Sequence, residues 1–146
     1  MPSVLILNGP NLNLLGTRQP EVYGHTTLGE VEAMCQDAAK QLGLDLSFEQ
    51  SNHEGVMIDL IHAAKGTHDA LIINAGAYTH TSIALMDAVA SVEIPTVEVH
   101  LSNIHARETF RHTSYLSKVA FGMLCGFGAK GYVMALDAVA EKVAKP

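Results

Sequence analysis

The sequence contains no tryptophan and only nine cationic side chains in 146 residues. Without tryptophan there is little from which to build a platform for stacked bases. The formal net charge of −6 also argues against non-specific binding to a polyanion. Three of the cations are arginines, Arg18, Arg107 and Arg111, so an anionic ligand must be captured by a few placed groups. Charged residues make up 16% of the chain against 48% hydrophobic, which argues against disorder. The apolar run after Met1-Pro2-Ser3 has no basic segment ahead of it and is too short for a signal peptide or a membrane span. A cytoplasmic protein is expected. Cysteine is scarce too: Cys35 and Cys125 both fall in apolar stretches and read as buried thiols of a reducing compartment.

What is present is a regular alternation of short apolar runs and amphipathic segments. Ser3–Leu7 is a continuous apolar run that stops at Asn8-Gly9-Pro10, as a strand covered on both faces would. Residues 8–26 carry neither period and are expected to form a functional loop, with a lid at about 17–25. Thr27 and Glu30 have capping-box spacing, and Leu28, Val31, Met34, Cys35, Ala38 and Leu42 then recur at helical intervals up to Gly43. Leu44–Phe48 is the second strand. Ser51 and Glu54 repeat the capping-box spacing before a helix with Met57, Leu60, Ile61 and Ala64 on one face. Ala70–Ile73 is the third strand. Thr79 or Thr81 is expected to cap a helix that buries Ile83, Met86, Val89 and Ala90. Thr96–His100 is the fourth strand, a short polar helix follows around Glu108–His112, and Val119–Leu124 is the fifth strand. Val133, Leu136, Val139 and Val143 mark the last helix.

Five apolar strands alternating with helices predict an α/β fold: one domain over 1–146, with a five-stranded parallel sheet covered on both faces. Right-handed crossovers favour the flavodoxin-like doubly wound order. In that architecture the strand ends deliver Asn8 and Asn11, Asn74, and Glu98, His100 and Ser102 to one rim. Within Val97-Glu98-Val99-His100, strand alternation turns Glu98 and His100 the same way. A carboxylate there orients the imidazole and favours its protonated form. The turn Gly9-Pro10-Asn11 after the first strand is not G-x-G-x-x-G, and G-x-x-x-x-G-K-[ST] does not occur, so nucleotide or flavin use lacks support. Three readings remain open on these residues. They are a proton-transfer enzyme, a metal-dependent hydrolase using Glu98, His100 and His105, and a flavodoxin-like binding module. No lysine (Lys40, Lys65, Lys118, Lys130, Lys142 or Lys145) falls at the carboxyl end of a strand, which leaves a Schiff-base route without a candidate.

Three motifs bear a further resemblance. Leu7-Asn8-Gly9-Pro10-Asn11-Leu12-Asn13-Leu14-Leu15-Gly16, continuing through Arg18, Pro20 and Tyr23-Gly24, closely resembles the opening of type II 3-dehydroquinate dehydratases. So do Ile73-Asn74-Ala75-Gly76-Ala77-Tyr78-Thr79-His80 and the run from Glu98 to Glu108, with Phe110-Arg111 and Ser114 beyond it. Gln19 departs from the acidic residue often found there.

The resemblance implies a lyase of aromatic amino acid biosynthesis, the shikimate pathway. It would dehydrate 3-dehydroquinate to 3-dehydroshikimate by anti elimination through an enolate, with no metal, no imine and no cofactor. It also implies a homododecamer built from four trimers. By the same resemblance Tyr23 is the base, Arg18 favours its phenolate, and His100 is the general acid oriented by Glu98. Asn11 holds a water or donates to the enolate oxygen. Asn74, His80, Leu101, Ser102 and Arg111 bind substrate, and Asp87 reaches a neighbouring subunit's site. Arg107, His105 and His112 are expected to be structural.

Overall fold

A computed structural model describes residues 1–144; Lys145, and with it the end of the expected 1–146 domain, lies outside the described residues. Five strands form one parallel sheet: β1 (Ser3–Asn8), β2 (Asp45–Gln50), β3 (Ala70–Asn74), β4 (Thr96–His100) and β5 (Gly122–Cys125). Their spatial order is β2-β1-β3-β4-β5. This is the flavodoxin-like, doubly wound arrangement expected from the alternation of elements.

The helices follow the crossovers. A one-turn helix α1 (Pro20–Tyr23) lies in the long loop after β1, followed by α2 (Leu28–Leu42), α3 (Glu54–Ala64), α4 (Ile83–Val92) and α5 (Lys130–Val143). Alternate strand residues feed two cores. Val4, Ile6, Ala70, Ile72, Val97 and Val99 pack with Val31 and Cys35 of α2 and Tyr132, Leu136 and Val139 of α5. Leu5, Leu7, Leu71 and Ile73 pack instead with Met57 and Ile61 of α3 and Leu85 and Val89 of α4. Each fully buried Leu or Ile contributes roughly 2 kcal/mol, so β3, buried along its whole length, anchors the rim residues that follow it.

The helix ends show where local signals decide. Thr27 and Glu30 form the reciprocal capping box, and Gly43 ends α2 in the left-handed conformation, both as expected. The second expected box does not form. Ser51 Oγ instead accepts from the His53 amide at 3.0 Å, and α3 begins after His53 without a side-chain cap. Neither Thr79 nor Thr81 caps α4; Ser82 does, accepting from the Leu85 amide at 2.9 Å. The buried face of α4 is Leu85, Ala88, Val89 and Val92, whereas Ile83 and Ala90 are exposed. That helix is apolar on nearly every side, so its period alone could not orient it. β5 starts three residues later than expected because Leu116–Lys118 form a 3-10 turn that buries Leu116. The polar segment after β4 forms two 3-10 turns, Ile104–Ala106 and Thr109–Arg111. Cys35 is buried, but Cys125 is only half-buried on the edge strand.

The register aligns the strand ends. Asn8 pairs with Gln50 on one side and Asn74 on the other, and Ile73 pairs with Glu98. After β1 the chain crosses to β2 on one side, while β3 lies on the other. The crevice of a doubly wound sheet opens at such a reversal. The two loops beside it are pressed together: a Cβ on Gly9 would meet the Ala75 carbonyl oxygen at 2.5 Å, and the Gly9 amide donates to Asn74 O at 2.7 Å.

Candidate active site

On β4, Val97 and Val99 face the first core, which turns Glu98 and His100 to the opposite side. Glu98 is fully buried, and both carboxylate oxygens are satisfied. One accepts from His100 Nε2 in a short hydrogen bond, from Thr79 Oγ1 at 2.6 Å and from Ser114 Oγ at 2.7 Å. The other accepts from Ser117 Oγ at 2.5 Å. Burial pushes this carboxyl up. The His100 hydrogen bond and charge prevail, with the Ser117 and Thr79 hydroxyls, and hold it at about 2. Glu98 is therefore a fixed anion that accepts the Nε2 proton of His100, leaving Nδ1 as the nitrogen able to exchange a proton. The His80 ring stacks on His100 with centroids 6.3 Å apart, and its Nδ1 donates to the Thr113 carbonyl at 2.9 Å. Burial, together with the neighbouring His100 and Arg111 charges, lowers the His80 pKa and favours its neutral form.

The long loop after β1 supplies the second half of the site. Tyr23 ends α1 and leans, half-buried, on the first core. Arg107 Nη1 donates to its hydroxyl at 3.1 Å and to Ser102 Oγ at 3.3 Å. The guanidinium carbons of Arg18 and Arg107 lie 5.2 and 5.4 Å from the ring centroid. Burial alone would raise the phenol's pKa. Hydrogen bonding from Arg107 and Arg18, with their charges, reverses that, and the pKa falls below its ordinary value of 10.0. Glu108 accepts from Arg111 Nε at 2.9 Å and lies 3.8 Å from Arg107 Nε.

Asn11 occupies a left-handed backbone conformation, φ 69°, and its amide donates to Asn52 Oδ1 at 3.0 Å. Asn74 ends β3, with its Oδ1 accepting from the Gly76 amide at 3.2 Å and its Nδ2 donating to the Tyr132 hydroxyl at 2.8 Å.

One pocket gathers these groups. Asn11, Arg18, Tyr23, Asn74, His80, His100, Leu101, Ser102 and Arg111, nine of the candidate site residues, all line it. Glu98 stands behind His100 and does not reach the pocket. Asp87 is exposed on α4 and does not line its own chain's pocket. Arg107 corrects the sequence reading: expected to be structural, it lines the pocket and holds the Tyr23 hydroxyl. A signal was available, since it is one of three arginines in an acidic chain and lies five residues after Ser102 in the same motif. Among the described residues no group of three or more His, Cys, Asp or Glu side chains is arranged to hold a metal ion. His105 is exposed and pairs with the His112 ring at 6.0 Å. Chemically, the pocket combines a phenol biased toward its anion with a carboxylate-anchored imidazole: a base and an acid around one ligand volume.

Comparison with known proteins identifies the family. Residues 2–140 match the family model described as dehydroquinase class II. A 3-dehydroquinate dehydratase from Dinoroseobacter shibae is 74% identical over 136 residues, covering 93% of this chain and 91% of that protein. One from Ruegeria pomeroyi is 64% identical, covering 96% and 94%. The crystal structure of a type II dehydroquinase from Butyrivibrio crossotus superposes with a TM-score of 0.93 at 44% identity, covering 94% of this chain and 97% of that one.

Proposed function

The chain belongs to the class II dehydroquinase family of lyases, and from that membership we propose that it dehydrates 3-dehydroquinate to 3-dehydroshikimate by anti elimination through an enolate, as a step of the shikimate pathway. The reaction makes three demands: removal of a proton alpha to a ketone, stabilisation of the enolate, and protonation of a departing hydroxyl. Tyr23 as phenolate meets the first, and the two guanidiniums beside it support that form at working pH. Asn11, directly or through a water, serves the enolate oxygen. His100, held by Glu98, delivers the proton that turns hydroxide into water. The Leu101 and Ser102 amides, with the Asn74 and Ser102 side chains, take the substrate carboxylate, and Arg111 and His80 bind ring hydroxyls. The chemistry needs neither a metal nor an imine, so we assign the enzyme no cofactor.

The reading extends to assembly. The outward face of α4 carries Ile83, Ala84, Asp87 and Ala90, an apolar stripe around one carboxylate, which supports contact with a second copy. We assign Asp87 to the neighbouring subunit's site within a trimer, four of which form a dodecamer. Among the described residues no helix is long and apolar enough to cross a membrane, and we place the enzyme in the cytoplasm. Neither nucleic acid nor membrane is a partner.

The observation that carries the proposal is Tyr23, hydrogen-bonded by Arg107 with Arg18 over its ring, lining one pocket with a Glu98-anchored His100. On addition of 3-dehydroquinate, ultraviolet absorbance should rise as the conjugated product forms. Tyr23→Phe should abolish that rise, by at least the ~10²-fold typical of a lost general base, while leaving the melting temperature unchanged. Near-normal turnover in that variant removes Tyr23 as the base. Borohydride added with substrate should not inactivate the enzyme.

A further inference from the structure

Tyr132 lies on α5, fully buried, and touches no pocket surface, yet it stands at the centre of a hydrogen-bonded chain that ends in the site. The chain runs through Asn8 and Asn74, the last residues of β1 and β3, which are also nearly fully buried. Its polarity is set from both ends by backbone groups that cannot exchange roles. The Glu49 carbonyl only accepts, so the group it meets at 3.1 Å is Asn8 Nδ2, and Asn8 Oδ1 is turned toward the phenol. The Gly76 amide only donates, so the group it meets at 3.2 Å is Asn74 Oδ1, and Asn74 Nδ2 is turned toward the phenol. The phenol reads both: its proton goes to Asn8 Oδ1 at 2.7 Å, and its lone pair accepts from Asn74 Nδ2 at 2.8 Å. A residue without a hydroxyl at this position satisfies neither neighbour. Burial raises the Tyr132 pKa, so the hydroxyl stays protonated and keeps its donor role.

We propose that Tyr132 is a positioning residue for substrate binding: it locks the Asn74 amide so that the second Nδ2 hydrogen is presented to the pocket as a donor for the substrate carboxylate. One Nδ2 hydrogen is spent on the phenol and Oδ1 on Gly76, which leaves one polar hydrogen of a buried side chain that lines the pocket. A donor held in this way binds an oxyanion without the entropy of first ordering the amide. The inference rests on the assignment of Asn74 as a substrate ligand.

The test is a double-mutant cycle read in KM and kcat for 3-dehydroquinate, with thermal melting alongside. Asn74→Ala should raise KM. Tyr132→Phe should raise KM about three- to tenfold, the effect of one lost hydrogen bond, with kcat changed by less than about twofold. In the Asn74→Ala background Tyr132→Phe should leave KM unchanged, because nothing remains for the phenol to orient. If Tyr132→Phe raises KM by the same factor in both backgrounds, its effect is general to the fold and the positioning role is overturned. If Asn74→Ala leaves KM unchanged, the ligand assignment itself fails and takes this inference with it. Asn8→Ala gives a second route that keeps the phenol: it removes the acceptor that fixes the phenol's proton. A folded Asn8→Ala protein with unchanged KM also overturns the lock, and a raised KM supports it.

Discussion

Tyr23 shows how far a single side chain's chemistry depends on distant ones. Its hydroxyl is held by a guanidinium 84 positions away in sequence, which is why Arg107 escaped a reading based on spacing. Arg18, five residues away in the same loop, was legible; Arg107 became so only when the loops after β1 and β4 were brought together. The two cations oppose burial, so the sign of the phenol's shift rests on them. Phenolate forms as pH rises through a pKa set below its ordinary value, and base catalysis should appear along that limb. Arg107→Gln removes the largest of the opposing contributions while keeping a hydrogen-bond donor. The rising limb of kcat/KM should therefore move to higher pH, and kcat at neutral pH should fall on the order of tenfold. A pH profile with its limb in place would show that Arg18 alone sets the phenol's ionisation.

The strands were readable because each has its own apolar run, and in β4 the alternation also displayed the Glu98 and His100 pair. Val97 and Val99 face one core; Glu98 and His100 turn the other way, His100 lining the pocket and Glu98 behind it. The helices were readable where one face differed from the other, as in α2 with its capping box. They were unreadable where apolar residues cover every side, as in α4, or where a capping residue had a closer partner, as Ser51 did. Likewise, Thr79 and the Ser114–Ser117 turn converge on Glu98 from two separate segments, and no local pattern announces that. His100, with the Ser117 and Thr79 hydroxyls behind it, makes β4 a source of pH-dependent stability. The Glu98 pKa is depressed from 4.5 to about 2, so its contribution is present above the unfolded value and is lost as pH falls through the folded one. For a fully buried carboxylate this amounts to roughly 3 kcal/mol. Glu98→Gln should lower the melting temperature at neutral pH and remove part of the stability loss that the parent protein shows between pH 4.5 and 2. It should also reduce kcat by on the order of tenfold or more, because His100 loses the anion that fixes its tautomer. Identical acid-melting curves for variant and parent would show that the carboxylate is not a source of acid sensitivity.

At the scale of the proposed trimer the question is where Asp87 acts. It is exposed on α4, outside the pocket of its own chain, beside the exposed Ile83, Ala84 and Ala90. Tyr23 and Asp87 should then serve different sites, one in its own subunit and one next door. Two inactive variants make the distinction. Tyr23→Phe supplies subunits with an intact Asp87, and Asp87→Ala supplies subunits with an intact Tyr23. In a randomly mixed trimer with cyclic contacts, about a quarter of the sites should combine an intact Tyr23 with an intact Asp87 from the neighbour. Equal amounts of the two, unfolded together and refolded, should recover activity toward that fraction of the parent's. The same variants refolded separately and then combined below the rate of subunit exchange should not. If co-refolding yields no more than the sum of the separate activities, Asp87 completes no neighbouring site. The exposed apolar face of α4 would then have no tie to catalysis. Recovery would instead make the interface and the active site one structure, so that any change loosening α4 from its neighbour should depress turnover before it unfolds the chain.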